Sequence, residues 1–268
     1  MINYIVYGNT SYLDILQIQT DYMSGRGHLT LFIDANTMEL SDLYSKYDKV
    51  VLYNGQDQYA KRLIKCLEQV DYEYFLFIHD IDILLDVDYV KLNKLNEFIT
   101  SNNFDRLDLK HTDNTTSNLI IEMDMDKECS DWNVMMQDEL TDGVYLVKQD
   151  NPNDYIYNVN PSIWKKSAFV ELLDAFPHKT YRTIEEMDVQ VFSKKFKVFK
   201  MYSINHLQCG YFKTLDMFKF LHISHSGKIL PLNESFTTVY GQSYSDISVE
   251  YTKIVNKYDL RKSPKWIN

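Results

Sequence analysis

Two carboxylates one residue apart, Asp80 and Asp82, interrupt an otherwise apolar stretch, "YFLFIHDIDILL". In an extended chain, residues i and i+2 point to the same side. Two carboxylates about 6 Å apart repel by roughly 3 kcal/mol at an effective dielectric of 20. A divalent cation removes that penalty, and an all-oxygen beginning favours Mg2+ or Mn2+ over zinc. A metal so held can bridge two phosphates and neutralise a departing diphosphate. The competing reading is mechanical: Asp82, or Asp86 and Asp88 after it, caps a helix over "VKLNKLNEF", because short acids satisfy the first free N–H groups of a helix.

The surrounding pattern decides how such a pair would be presented. "NYIVY", "LTLFID", "KVVLYN" and "YFLFIHD" read as four strands, and "GNTS" as a turn with capping residues. The intervening "DQYAKRLIKCLEQV" places Tyr59, Leu63, Cys66, Leu67 and Val70 on one helical stripe. Strands alternating with helices imply right-handed crossovers and a mainly parallel sheet covered on both faces. Tyr74 to Ile78 is apolar throughout, as a strand buried on both faces requires. Ligands of such sheets bind beyond the carboxyl ends of the strands, where the two acids fall. From about Asn102 the rhythm changes. "RLDLKH", "NLIIEM", "GVYLV" and "YIYNV" read as strands with polar loops, which brings in antiparallel pairs. "NPSIWKKSAFVELLDAF" then reads as a helix with Asn160 as N-cap and Pro161 in its first turn.

The 268 residues, 25% charged and 45% hydrophobic, describe a globular chain. A net charge of −10 argues against a nucleic-acid surface. The three cysteines, Cys66, Cys129 and Cys209, are too scattered for a disulfide framework and suit a reducing compartment. "MINYIVYG" lacks the basic and apolar regions of a signal peptide, and no run is long enough for an integral membrane segment. The expectation is a soluble, cytoplasmic protein. No repeat or linker separates its halves, so a single domain over 1–268 is expected, with a nucleotide-sugar half (1–100) and an acceptor-side half with the C-terminal segment (101–268).

Taken in order, "YIVYGNTSYLDILQI", "QYAKRLIKCLEQV" leading into "YFLFIHDID", and later "NPSIWKK" resemble GT-A type glycosyltransferases. The likeness is strongest to the small nucleotide-sugar-dependent enzymes of large DNA viruses and some bacteria, and it covers most of the chain. The resemblance implies a Rossmann-like GT-A fold, α/β, with a mixed, mainly parallel sheet flanked by helices and an antiparallel acceptor-side portion. It implies that Asp80 and Asp82 hold Mn2+ or Mg2+ against the donor diphosphate, with Asp80 also a donor contact. Tyr7, Gly8 and Asn9 would meet the base or ribose, with Asp34 and Arg62 as further donor contacts. UDP-sugar is the implied donor, and a glycan or glycoprotein the acceptor. The plain alternatives are a turn cap for Asp34 and a solvated helix face for Arg62.

Inverting transfer needs a carboxylate to take the proton of the attacking hydroxyl. "TYRTIEEMDVQVF" offers Glu185, Glu186 and Asp188 where the family carries its acceptor-facing acids. Glu186 or Asp188 is the candidate base, and the sequence does not choose between them. Acids also favour a helix N-terminus through its dipole, whatever the function. His222, with His225 as second choice, matches the C-terminal histidine that completes metal coordination in many relatives, which would tilt the metal towards Mn2+. His206, Cys209, His222 and His225 lack the spacing of a zinc finger. Trp164 reads as core on the helix after Asn160, whose polar start, Asn160 and Ser162, could alternatively line the sugar site. Trp132 is the better candidate for stacking on an acceptor.

Three other readings compete. A haloacid-dehalogenase-type phosphatase has Thr or Val two positions after the second acid, usually with Gly between, where this chain has Leu84 preceded by Ile83. A nucleotidyltransferase normally carries a Gly-rich, basic first loop, whereas "YGNTSYLD" has one Gly and no basic residue. A carbohydrate-binding protein that has lost catalysis would have had no need to keep the acidic pair.

Overall fold

The computed structural model describes residues 2–34, 41–109, 138–141, 144–148, 156–185, 195–203, 218–225, 227–229 and 244–266. The strands are β1 (Asn3–Tyr7), β2 (Leu29–Asp34), β3 (Lys49–Tyr53), β4 (Tyr74–His79), β5 (Asp82–Val87), β6 (Arg106–Asp108), β7 (Asp138–Thr141), β8 (Val144–Lys148), β9 (Ser162–Lys165), β10 (Val198–Ser203), β11 (Phe218–His222), β12 (Ser224–His225) and β13 (Lys228–Ile229). The helices are α1 (Leu13–Met23), α2 (Ser41–Tyr44), α3 (Tyr59–Leu67), α4 (Tyr89–Asn102), α5 (Lys166–Ala175) and α6 (Tyr244–Lys257). A short 3-10 turn, Thr10–Tyr12, precedes α1, and residues 181–185 are also helical.

Among the described residues the main sheet has nine strands in the order β3-β2-β1-β4-β9-β6-β10-β8-β7. The first four are parallel to one another. β9 runs against both β4 and β6, β10 runs parallel to β6, and β8 and β7 close the sheet with antiparallel pairs. The sheet is therefore mixed, as the two rhythms of the sequence lead one to expect. β2 is buried at every position and β4 at all but its first, which is why they read as unbroken apolar runs.

Alternate side chains feed two cores. Tyr4, Val6, Leu31, Leu76 and Ile78 pack under Leu16 of α1 and Leu92 and Leu95 of α4. Ile5, Phe32, Phe75 and Phe77 pack under Leu63 and Leu67 of α3 and Phe169 and Leu172 of α5. β5 leaves this sheet and pairs with β11, and the resulting ribbon packs with α1 and α6 through Ile15, Ile83, Leu221 and Ile254.

Three expectations need correction. "SIWK" is strand β9, wedged antiparallel between β4 and β6, and the helix begins only at Lys166. Trp164 is fully buried, but on this strand, stacked on Phe169 with 4.7 Å between ring centroids. The sheet offered two open ladders there, and tertiary pairing overrode the local helix-start signal. Residues 156–159 form no strand. "NLIIEM" and Trp132 lie outside the described residues. Finally, Asp80 and Asp82 are not on one extended run, because β4 ends at His79 and the chain turns at 80–81 before β5. Helix capping falls to Asp88, whose Oδ1 accepts the N–H groups of Val90 and Lys91 at 3.0 and 3.1 Å. Among the described residues no helix is long and apolar enough to cross a membrane.

Candidate functional site

The chain leaves β1 towards β2 and β3 on one side, then returns to place β4 on the other side of β1. The switch point therefore lies at the carboxyl ends of β1 and β4, at Gly8–Asn9 and Asp80, the place where open α/β sheets bind their ligands. A pair of bonds ties the two strand ends. The Asp80 N–H donates to the Tyr7 carbonyl at 3.0 Å, and Asp80 Oδ2 accepts the Asn9 N–H at 2.9 Å.

Asp80 is 7% exposed. Burial pushes its carboxyl up to about 7; the Asn9 N–H and its own backbone pull it back, Asp82 raises it further and Lys265 lowers it. Asp82, 1% exposed, opens β5 directly opposite His222 on β11. Its Oδ1 lies 2.9 Å from His222 Nδ1, and Gln19 Nε2 donates to its carbonyl at 3.0 Å. That contact occupies His222 Nδ1 and leaves only Nε2, which points away from Asp82, so Asp82 and His222 do not face one cation as they stand. Two carboxylates and an imidazole form a donor set that suits Mn2+ or Mg2+. Among the described residues, however, no three such side chains converge as a ready metal cluster. His225 belongs to β12, its side chain outside the described set.

The first turn is built as tightly as the acids. Asn9 Oδ1 accepts both the N–H and the hydroxyl of Ser11, at 2.8 and 2.6 Å, capping the 3-10 turn. Asp34 takes Thr10 with both oxygens, the N–H at 2.6 Å and the hydroxyl at 2.8 Å, which is the turn-holding arrangement. Gly8 packs closely on α1, where a Cβ would lie 3.2 Å from Leu16 Cδ2. Its carbonyl accepts the Tyr53 hydroxyl at 2.8 Å.

Arg62 is not on a solvated face. Its guanidinium sits over the rings of Tyr7, Tyr53 and Tyr59, at 5.5, 5.1 and 5.6 Å from their centroids. Among the described residues it has no carboxylate partner, and its Nε is buried without a hydrogen bond. Tyr7 stacks on Tyr53 at 5.3 Å. His79 lies edge-on to Tyr7 and meets the Tyr59 hydroxyl at 3.3 Å through Nε2. Tyr59 in turn shares a short hydrogen bond with Tyr157. Burial holds His79 down at about 4, so it is neutral at physiological pH.

In the second half of the chain, sequence reasoning missed a buried polar network. Arg106, fully buried, donates to the Ile156 carbonyl, Asn158 Oδ1 and Ser162 Oγ at 2.6, 2.7 and 2.8 Å, and pairs with Asp108 at 3.1 Å. Its signal was visible: two opposite charges at i and i+2 on a short strand, "RLD". Asn160 and Ser162 belong to this network, with Ser162 Oγ donating to the Asn160 carbonyl at 2.9 Å. Glu185 Oε1 accepts the Val159 N–H at 2.8 Å, tying the helical residues 181–185 to the same loop. Glu186 and Asp188 lie outside the described residues, as do His206 and Cys209.

No family model matches the chain, and a search of curated proteins gives no match. Solved structures do resemble it. A cytidylyltransferase from Leptospira borgpetersenii serovar Hardjo-bovis is 10% identical over 100% of this chain and 98% of its own, with a TM-score of 0.47. S. aureus TarS 1-349 in complex with UDP-GlcNAc is 14% identical over 98% of this chain and 74% of its own, with a TM-score of 0.43. A UDP-glucose pyrophosphorylase complexed with UDP-glucose is 10% identical over 98% of this chain and 100% of its own, with a TM-score of 0.44. Likeness at this level follows the course of the chain and carries nothing about its chemistry.

Proposed function

We propose that this protein is a metal-dependent glycosyltransferase that moves a sugar from a nucleoside-diphosphate sugar, UDP-sugar first, to a glycan or glycoprotein acceptor. The observation that carries the reading is the placement of Asp80 and Asp82 at the switch point, with a buried carboxyl whose proton affinity is raised to about 7 and a histidine set against its neighbour. Repelling buried acids beside a binding crevice cost stability, and functional sites are where such costs recur. Asp80 and Asp82 would hold Mn2+, or Mg2+, with His222 joining them only once its ring turns away from Asp82; the cation would neutralise charge on the leaving diphosphate. Tyr7, Gly8 and Asn9 would contact the nucleotide from the first turn, with Asp34 holding that turn through Thr10. Arg62, a guanidinium without a carboxylate partner among the described residues, would meet an anionic or carbonyl oxygen of the donor. Glu186 or Asp188 would take the proton of the acceptor hydroxyl.

The test is thermal stabilisation by UDP, GDP and ADP, each with and without Mn2+, on the wild type and on Asp82→Ala. A ligand at a hundredfold its dissociation constant adds about 2.7 kcal/mol. Stabilisation by one nucleotide that needs Mn2+ and disappears in the variant is the expected result. UDP release from a UDP-sugar, dependent on acceptor, then establishes glycosyl transfer. Pyrophosphate release from a nucleoside triphosphate and a sugar 1-phosphate would instead establish nucleotidyl transfer. Glycan binding without any nucleotide effect would overturn both.

A further inference from the structure

Resting on that reading, charge accounting at the site points to a residue far along the chain. Two carboxylates and one divalent cation cancel, which leaves the negative charge of a diphosphate to be met by other groups. The segment after α6 runs back over α1. The Tyr258 hydroxyl donates to Asp21 at 2.9 Å, the Ser263 hydroxyl to Asp14 Oδ2 at 2.7 Å, and Lys265 Nζ to Asp14 Oδ1 at 2.8 Å. The Ile229 N–H donates to the Lys265 carbonyl at 2.8 Å, which fixes the backbone at this residue.

The Lys265 ammonium lies 5.4 Å from the centroid of the Tyr12 ring. Tyr12 ends the 3-10 turn that begins directly after Asn9, the residue bonded to Asp80. Gly227, at φ +79, brings the β12–β13 turn against this ring; a Cβ there would lie 3.2 Å from the Tyr12 hydroxyl. The Lys265 side chain is only 20% exposed, so its position is largely set before any ligand arrives.

We infer that Lys265 is a phosphate-facing cation of this site, with Asp14 and the Tyr12 ring holding its ammonium against the first turn, whose Asn9 bonds Asp80. The chemistry it would recognise is the diphosphate of the donor, and equally that of inorganic pyrophosphate. Asp14 and Tyr12 are positioning residues in this arrangement. The competing account makes Lys265 a simple latch between the segment and α1.

The experiment is calorimetric titration of Mn2+ alone, Mn2+ with inorganic pyrophosphate, and Mn2+ with UDP into the full chain, as wild type, Lys265→Met and Lys265→Arg. Expected in Lys265→Met is a loss of about 10- to 100-fold in affinity for pyrophosphate and UDP. Lys265→Arg should regain most of it, and affinity for Mn2+ alone should not fall. A melting temperature lowered with both anion affinities unchanged is the latch result and overturns the inference while leaving the proposed activity standing. Wild-type protein that binds neither anion overturns both together. If Lys265→Met does not fold, Lys265→Gln, which keeps a donor for Asp14, carries the test: a loss of about tenfold in affinity for pyrophosphate and UDP is expected, and unchanged affinity refutes the assignment.

Discussion

Replacing Asp80 with Asn should make the metal-free protein more stable at alkaline pH, not less. Asn keeps an oxygen for the Asn9 N–H, which Asp80 Oδ2 accepts at 2.9 Å, and removes the charge. Burial and Asp82 hold the carboxyl at about 7 against its ordinary 3.8. Each tenfold change in proton affinity is worth about 1.4 kcal/mol, so the fully ionised folded state loses roughly 4 kcal/mol, with half of that a fair lower figure after relaxation. The sign follows from linkage. A carboxyl with a raised folded value binds its proton more tightly in the native state. Its contribution is therefore complete below about 3.8 and lost as pH rises through about 7. Urea and thermal unfolding in EDTA, from pH 5 to pH 8.5, should give a small gap at the acid end. At the alkaline end the variant should gain about 2–4 kcal/mol, or about 4–8 °C in melting temperature for a chain of this size. His79, held at about 4 by burial, titrates in both proteins and largely drops out of the difference. With Mn2+ and UDP present the order should reverse, because only the wild type gains a ligand. A gap that does not change with pH, or a variant less stable at pH 8.5, would refute the account of why this acid is strained.

Arg106→Met should cost about 3–5 kcal/mol in urea, since it strips Asp108 of a buried charge partner; an Asp108→Asn partner substitution should recover part of it. Asp88→Ala should cost about 1 kcal/mol by removing the cap of α4, with nucleotide binding unchanged. Arg62→Met should weaken UDP binding about tenfold, with the unliganded melting temperature lowered by a few degrees at most; a large loss of stability with intact affinity would reduce Arg62 to a packing residue. Burial pushes the Cys66 thiol from 9.0 and the Tyr4 hydroxyl from 10.0 up to about 12 each. Both keep their protons longer when folded, so stability should hold to about pH 9 and fall from there to pH 12. Cys66→Ala should lower stability overall and delay that fall towards pH 10, read from melts across the range.

The parallel half was legible because its chemistry is one-sided. A strand covered on both faces must be apolar throughout, and the stripe Tyr59, Leu63, Cys66, Leu67 and Val70 must face a sheet; all five are buried. The place of Asp80 at the carboxyl end of β4 followed from the same rule. What failed was anything decided by distant partners. The start of "SIWKK" looks like a helix entry, yet two strands, one nearly ninety residues earlier, supply the ladders that make it β9. The turn at 80–81 was hidden for the same reason: Asp82 is extended, but towards β11, not along β4. Asp34 carried two local readings, and only the place of Thr10 separates them in the unliganded chain. Asp82 and His222 were each picked out as cation ligands, but their contact could not be read from residue types alone.

That contact spans 140 residues. During synthesis the two acids leave the ribosome long before their histidine exists, by roughly 10–30 s at ordinary elongation rates. Over that interval the nascent chain carries the two acids without the imidazole that meets Asp82, and β5 without the strand that completes its ribbon. The proposed cation site is thus one that a later stretch of chain completes, and its full set of donors would exist only after β11 has paired with β5.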